Sequence, residues 1–187
     1  APRRKHDHWQ IVLSNSKALR YHDPRRFGAL LITPQSSLAD HKLLRHLGPE
    51  PLSADFDGDY LLQASRGKSQ AVKNFIMDSS VVVGVGNIYA AEALFLAGIH
   101  PKRAAGRIPR ESYNRLVVAV RKVLQQAIQS GGTTLRDYVD GQGNPGYFRQ
   151  QLNVYGKAGE ECGKCGRAIR SMRLGQRSSF FCPGCQR

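Results

Sequence analysis

The 187-residue chain carries 28 Lys and Arg against 14 Asp and Glu, giving a formal net charge of +14 and a pI near 10.1. Such an excess favours a polyanionic partner, with nucleic acid the first reading and an acidic membrane surface the second. There is no long apolar run and no polybasic amphipathic stretch of the surface-binding kind, which sets the membrane aside. With 41% hydrophobic residues, the length suffices for one domain or two small ones.

From a basic leading segment, Pro2-Arg3-Arg4-Lys5, the residues up to about Thr33 alternate as a sheet does. Trp9, Ile11 and Leu13 share one face, Ser14-Asn15-Ser16 turns the chain, Leu19 and Tyr21 follow, and Ala29 to Ile32 reads as a third strand. Three strands make a poor independent core, so this portion is expected to be the end of a larger β-domain whose remainder lies upstream. Between the second and third strands, Asp23-Pro24-Arg25-Arg26-Phe27-Gly28 brackets two guanidiniums and one ring with a Pro and a Gly. A Phe at a loop tip can wedge into a base stack, an adjacent Arg can bond a base left unpaired, and a second Arg can hold a phosphate. The same residues admit a second reading, with Phe27 in a core and both arginines a surface pair.

From about Pro34 to Gly132 the pattern is helical. Leu38, Leu43, Leu44 and Leu47 predict a helix closing at Gly48-Pro49; Val72, Phe75 and Ile76 predict another; Ile88, Ala91, Leu94 and Phe95 predict one ending at Gly98, with Pro101 beyond. The longest element starts near Glu111, buries Leu116, Val120, Val123, Leu124, Ala127 and Ile128, and stops at Gly131-Gly132. Arg115, Arg121 and Lys122 fall on its outer face, as a solvated surface or a basic one. Before the third helix, Val83-Gly84-Val85-Gly86-Asn87 could bring backbone amides and the Asn87 side chain onto one phosphate, or form a tight turn with Asn87 as N-cap.

A glycine-rich connector, Asp140 to Gly146, is either disordered or a binding loop, and an aromatic stretch with Tyr147, Phe148 and Tyr155 follows it. Last come Cys162-x2-Cys165 and Cys182-x2-Cys185, sixteen residues apart. Two such pairs complete a closed four-sulfur shell for one structural zinc ion, whereas a disulfide across a two-residue spacer is strained. Between them Ile169, Met172 and Leu174 on one arm, Phe180 and Phe181 on the other, and Gly175 at the bend predict a hairpin. So few apolar side chains need the metal, whose binding supplies on the order of 10 to 16 kcal/mol of coupled folding energy. The turn carries Gln176 and Arg177 beside Arg170 and Arg173. His8, His22, His41, His46 and His100 show no metal-ligand spacing.

Taken together, the Asp23-Pro24-Arg25-Arg26-Phe27-Gly28 loop, Val83-Gly84-Val85-Gly86-Asn87-Ile88-Tyr89, Gly131-Gly132-Thr133-Thr134-Leu135, Gly146-Tyr147-Phe148, Val154-Tyr155-Gly156 and the four-cysteine ribbon resemble bacterial formamidopyrimidine-DNA glycosylase, in unbroken order from Lys5 to Arg187. The sister endonuclease-VIII-type enzymes, which act on oxidised pyrimidines, share the helical part and the ribbon but not the Arg-Arg-Phe loop, and rank second. A non-catalytic DNA-binding zinc-finger module is a third possibility; a ribbon protein of translation or transcription is disfavoured by a wedge aimed at a duplex stack. The resemblance implies an α+β fold: residues 1–34 as terminal strands of an incomplete β-sandwich, 35–132 as a helix-two-turns-helix domain, 133–160 as a lesion-capping loop and linker, and 161–187 as a zinc finger.

The implied function is base-excision repair, in which an oxidised purine such as 8-oxoguanine or a formamidopyrimidine is flipped out of double-stranded DNA and excised, and the strand is nicked by β,δ-elimination. The family's nucleophile is an N-terminal proline amine followed by a Glu; here Ala1-Pro2-Arg3-Arg4 offers neither, because the Pro2 nitrogen lies in a peptide bond. The chain is therefore expected to be a portion of the enzyme and inactive alone. By resemblance Arg177 grips phosphates and donates a proton in the second elimination. His6, Arg25, Arg26, Lys68, Lys73 and Asn87 contact DNA, with Arg25 on the orphaned cytosine and Phe27 as wedge. Tyr89, Thr134 and Tyr155 belong to the base pocket, although packing against the linker suits Tyr155 equally. Cys162, Cys165, Cys182 and Cys185 hold the zinc. A monomer in the bacterial cytoplasm is expected.

Overall fold

The N-terminal alternation folds as an antiparallel hairpin in the computed structural model, which describes residues 2–133 and 147–187. Strand β1 (Asp7–Val12) pairs with β2 (Ala18–His22) in the register Ile11↔Leu19 and Trp9↔Tyr21. The Trp9 and Tyr21 rings stack with centroids 5.1 Å apart and planes within 7°. The turn is the expected one: Leu13 N–H donates to Lys17 O at 2.8 Å, and Ser16 adopts a φ of 61°. At the start of β1, the buried Asp7 carboxylate accepts the Arg4 amide and meets His22 Nδ1 at 2.9 Å, contacts that together lower its pKa.

Two expectations for this region fail. Ala29 to Ile32 forms no strand, and Ile32 is 97% exposed; alternation makes a strand only where a partner edge exists, and among the described residues the sheet ends at β2. The helix expected over Leu38 to Leu47 is replaced by a 3-10 turn at Gln35–Ser37 and isolated turns whose amides reach back three residues, His41 to Leu38 and Leu47 to Leu44. Its four leucines are 41–57% exposed. A short helix recovers its nucleation cost only by packing, of which side chains this exposed supply little.

The chain divides into two compact units, Ala1–His41 and Lys42–Arg187. Among its described residues the second has four α-helices, α1 (Gly58–Ala64), α2 (Val72–Ile76), α3 (Asn87–Ala97) and α4 (Arg110–Gln129). The pattern had not singled out α1, yet its start is marked by Asp57, whose side chain accepts the Tyr60 amide at 2.7 Å. A Cβ at Gly58 would lie 1.8 Å from Asn114 Oδ1 on α4, so any larger residue there requires the Asn114 side chain to move. Phe56, Leu61, Phe75, Ile76, Leu94, Tyr113, Leu116 and Val120 fill the core. Helix α3 stops as expected at Gly98, in the left-handed region at φ 72°.

Helix α4 runs within a residue or two of its expected bounds, but two of its residues face differently. Ile128 is 65% exposed in the last turn. Arg121 is no solvated cation: its guanidinium donates to the carbonyls of Pro51, Ser53 and Phe56 at 3.2, 2.7 and 2.8 Å, clamping the segment before α1.

The C-terminal hairpin, β3 (Arg170–Leu174) and β4 (Arg177–Phe181), turns at Gly175, whose φ is 58°. Its apolar residues do not stand alone. Ile169, Cys162 and Cys182 form a small core with Val154 and with Ala91 and Phe95 of α3. Gln186 straps the ribbon to the helices by accepting the Cys182 amide and donating to Ile99 O at 2.9 Å. Among the described residues no helix is long and apolar enough to cross a membrane.

The Arg121 clamp gives the first prediction. Arg121→Met lowers unfolding free energy by about 2 kcal/mol in urea denaturation, because carbonyls lose a charged donor, whereas Lys122→Met on the exposed side changes it by less than about 0.5 kcal/mol.

Candidate nucleic-acid interface

Helix α3 begins beside an open surface. Val85 is buried and pins the turn, whereas Gly84 (φ 75°) and Gly86 border empty space, with nothing within 4 Å of where a Cβ would stand. The first intrahelical bond runs from Ala90 N to Gly86 O, so helix geometry leaves the amides at residues 87 to 89 without an intrahelical acceptor. Gly86, not Asn87, occupies the N-cap, and no side chain caps the helix. The Asn87 amide is used sideways instead: Oδ1 accepts Lys73 Nζ at 2.6 Å and Nδ2 donates to the Tyr155 hydroxyl at 3.1 Å.

Lys73, from α2, is fully buried, yet its ammonium has an acceptor for each proton: Asn87 Oδ1, Ser178 O at 2.9 Å and Ser179 Oγ at 2.7 Å. Burial, with the nearby Arg177 guanidinium adding to it, lowers its pKa to about 8. Arg177 itself opens β4 and is exposed. The arrangement joins α2, the start of α3 and the hairpin around one concealed positive charge, with an exposed one at its edge.

A second buried charge holds this group from behind. The Glu92 carboxylate, 1% exposed, accepts the backbone amides of Asn153, Val154 and Tyr155 and the Asn153 side chain, all at 2.7–2.9 Å. Tyr155 is thereby fixed, its ring edge-on to Phe180 at 5.0 Å. Glu92 had not been singled out; the signal was a lone carboxylate among Ala, Leu and Phe on a helix buried nearly all round. Tyr89 turns elsewhere, its hydroxyl 3.1 Å from Thr133 Oγ1 and its ring against Phe148. Thr134 and the whole Asp140 to Gly146 connector lie outside the described residues. Lys68 is exposed in the turn before α2, where its carbonyl accepts the Gly106 amide.

In the N-terminal unit the Asp23 to Gly28 loop gathers the other candidates. Phe27 is 79% exposed, which removes the reading of it as a core residue, and the Arg25 guanidinium lies 4.5 Å from its ring centroid. Arg26 adopts a φ of 55°. His6, also at positive φ (77°), is partly buried with its ring edge-on to His22.

The four cysteines meet the demands of a metal. Their sulfurs all lie within 4.8 Å of one another, with Cys162–Cys185 at 3.9 Å and Cys165–Cys182 at 3.4 Å. A tetrahedron with zinc–sulfur bonds of about 2.3 Å has edges of about 3.8 Å, while a disulfide needs about 2.05 Å. Burial and the neighbouring thiols push the Cys185 thiol up to about 12, so a thiolate there requires a cation, which zinc supplies. The residues fit one structural zinc ion.

A helical domain whose third helix starts beside the buried Lys73, joined to a four-cysteine ribbon, narrows the class, and comparison with known proteins makes it specific. Residues 47–139 match the family model described as the formamidopyrimidine-DNA glycosylase H2TH domain, and residues 159–187 match the zinc finger found in FPG and IleRS. Formamidopyrimidine-DNA glycosylase of Pseudomonas fluorescens is 59% identical over all of this chain and 68% of its own length; that of Alcanivorax borkumensis is 55% identical over the same shares. Among solved structures, a Lactococcus lactis Fpg mutant bound to Fapy-dG-containing DNA superposes with a TM-score of 0.90 at 34% identity, covering 100% of this chain and 68% of that one. Thermus thermophilus MutM (Fpg) gives 0.88 at 38% identity, covering 99% and 70%. The chain belongs to the formamidopyrimidine-DNA glycosylase family.

Removing zinc with a chelator, or Cys182→Ser, undoes the hairpin and deprives Lys73 of Ser178 and Ser179, so duplex affinity falls at least about tenfold while the far-UV signal of α1 to α4 persists. Zinc release, circular dichroism and fluorescence anisotropy on one sample check this; retained affinity after verified zinc loss refutes it.

Proposed function

We propose that this chain recognises oxidised purines, 8-oxoguanine and formamidopyrimidines, in duplex DNA and serves their excision in base-excision repair, as a monomer in the cytoplasm. The observation that carries the proposal is the buried Lys73 ammonium linking Asn87, at the start of α3, to the hairpin that presents Arg177. Its support is the family: relatives bear the name formamidopyrimidine-DNA glycosylase, and solved neighbours hold Fapy-dG or abasic-site DNA.

The roles follow from charge and exposure. A phosphate beside the lesion is received by the unpaired amides of α3, Asn87 and Arg177 together. Lys73 stays behind this surface and supplies positive potential without surrendering its three hydrogen bonds. Arg177 acts mainly by electrostatics, also in the second elimination, because a guanidinium pKa above about 12 makes a poor proton donor. Phe27 enters the stack, Arg25 meets the orphaned cytosine, and Arg26, His6 and Lys68 touch the backbone. Tyr89 borders the base pocket, with Thr134 its further candidate member. The bonds of Tyr155 to Asn87 and Glu92's hold on its amide favour a supporting role over direct base contact.

Glycosidic cleavage coupled to strand nicking needs an amine that forms a Schiff base. Pro2 cannot supply it, since its nitrogen is an amide, and Lys73 is enclosed with all its protons engaged. The 187 residues are thus expected to bind lesion DNA without forming the covalent intermediate. Borohydride trapping on a duplex with 8-oxoguanine opposite cytosine, with binding scored in parallel, tests this: an adduct overturns it, and absence of binding removes the recognition reading.

Two further outcomes are expected. Arg177→Ala weakens binding to every duplex and reduces the slope of log affinity against log salt by about one. A phosphate at this site stabilises the Lys73 ammonium and raises its pKa from about 8, so the complex holds more protons than the free protein above that pH. Affinity therefore falls as pH rises through about 8 and is flat below, and Lys73→Met abolishes that slope in binding titrations.

A further inference from the structure

We infer that Asp23 is a positioning residue that presets the Arg25–Phe27 loop before DNA arrives, so that the ring and the arginines meet the duplex as one formed unit. The inference rests on reading Phe27 as the wedge. An exposed aromatic ring has little packing to hold it, and the Phe27 ring lies against the likewise exposed Arg25 guanidinium. Its place is set by the backbone, and the backbone is set by one carboxylate. Asp23 Oδ1 accepts the amides of Arg25 and Arg26 at 3.1 and 2.9 Å; Oδ2 accepts the Gly28 amide at 2.8 Å and the Tyr21 hydroxyl at 2.9 Å.

Asp23 is itself anchored to the first strand region at two points. Its amide donates to His6 O at 3.0 Å, and its carbonyl meets His8 Nε2 at 2.8 Å. Tyr21, the fourth donor, is held by its stack on Trp9. The loop also contains features that only a compensating network sustains. Arg26 sits in the left-handed region, at a cost of about 1 kcal/mol or more for a non-glycine residue. Gly28 lies so close that a Cβ would come within 1.4 Å of the Tyr21 hydroxyl oxygen. The four donors, the Gly28 amide foremost, hold the Asp23 pKa down at about 2, so the ionised carboxylate the loop requires is present at any working pH.

Preorganisation matters because a loop that must first be ordered spends binding energy on doing so. An asparagine at this position keeps one acceptor oxygen but turns an NH2 toward the Gly28 amide, setting donor against donor, while the Tyr21 hydroxyl would have to rotate to accept.

The test uses the full chain, a duplex with an abasic analogue opposite cytosine, and 2-aminopurine beside the lesion, whose emission rises on unstacking. Asp23→Asn is expected to lower affinity about tenfold and suppress the 2-aminopurine rise, while the emission of Trp9, the chain's single tryptophan, stays unchanged. Added to Phe27→Ala, it should cost little more, because both remove the same engagement. Tyr21→Phe keeps the ring stack, deletes one donor, and should give a smaller loss of the same sign. If Asp23→Asn behaves as wild type while Phe27→Ala loses affinity and signal, the positioning role fails and the wedge stands. If Phe27→Ala itself behaves as wild type, the wedge reading fails and this inference with it. If Asp23→Asn shifts Trp9 emission and Tyr21→Phe equals wild type, Asp23 only stabilises the hairpin, and the positioning role is refuted.

Discussion

A lysine ammonium hidden from water is the constraint around which the C-terminal unit is arranged. Removing a charge from solvent is tolerable only when its protons all find acceptors, and Lys73 finds them on segments 14, 105 and 106 residues further along the chain. Helix α2, the start of α3 and the hairpin must all be in place for that to hold. The remaining devices serve this convergence: the four sulfurs shape the hairpin, Glu92 fixes Tyr155, and Tyr155 orients Asn87. The arrangement places positive potential beneath the surface while Arg177 stays exposed at its edge.

Glu92 and Lys73 solve opposite problems by the same rule. Each is a charge that hydrophobic packing alone would expel, and each is satisfied by groups from a segment distant in sequence. Such charges are poor sources of net stability against an apolar replacement, but they tolerate one arrangement of partners and few others. Here that selectivity falls on the junction between the helices and the ribbon. The small apolar core shared by Ala91, Phe95, Ile169 and Val154 supplies adhesion there, and the charges supply register.

Much of this was legible in the sequence wherever one local rule dominates. Cysteine spacing defined the ribbon, the 3.6-residue period defined α4, and Gly98 marked the end of α3 where a left-handed residue was needed. The failures have a common origin in partners that a pattern does not reveal. Leucines at helical spacing between Leu38 and Leu47, and the alternation from Ala29 to Ile32, were signals for elements that need a surface to pack on or an edge to pair with. Arg121 looked solvated because its acceptors are carbonyls in an irregular segment, invisible to any periodicity. Asn87 looked like a cap because position alone suggested it, while its true partners are a lysine and a tyrosine from elsewhere in the chain. In the candidate site, the residue types were readable, but which of them face solvent and which stand behind was not.

The strap that follows the fourth cysteine bears on how ribbon and helices come together. Arg187 donates its amide to Gly98 O and accepts from the His100 amide, and Gln186 reaches Ile99 O, 87 residues back. The carbonyls just beyond α3 therefore find these donors only in Gln186 and Arg187, and the docking of ribbon on helices is a closure over a long loop. A chain stopped after Cys185 would keep every metal ligand and still lack the tether that seats the finger on its domain.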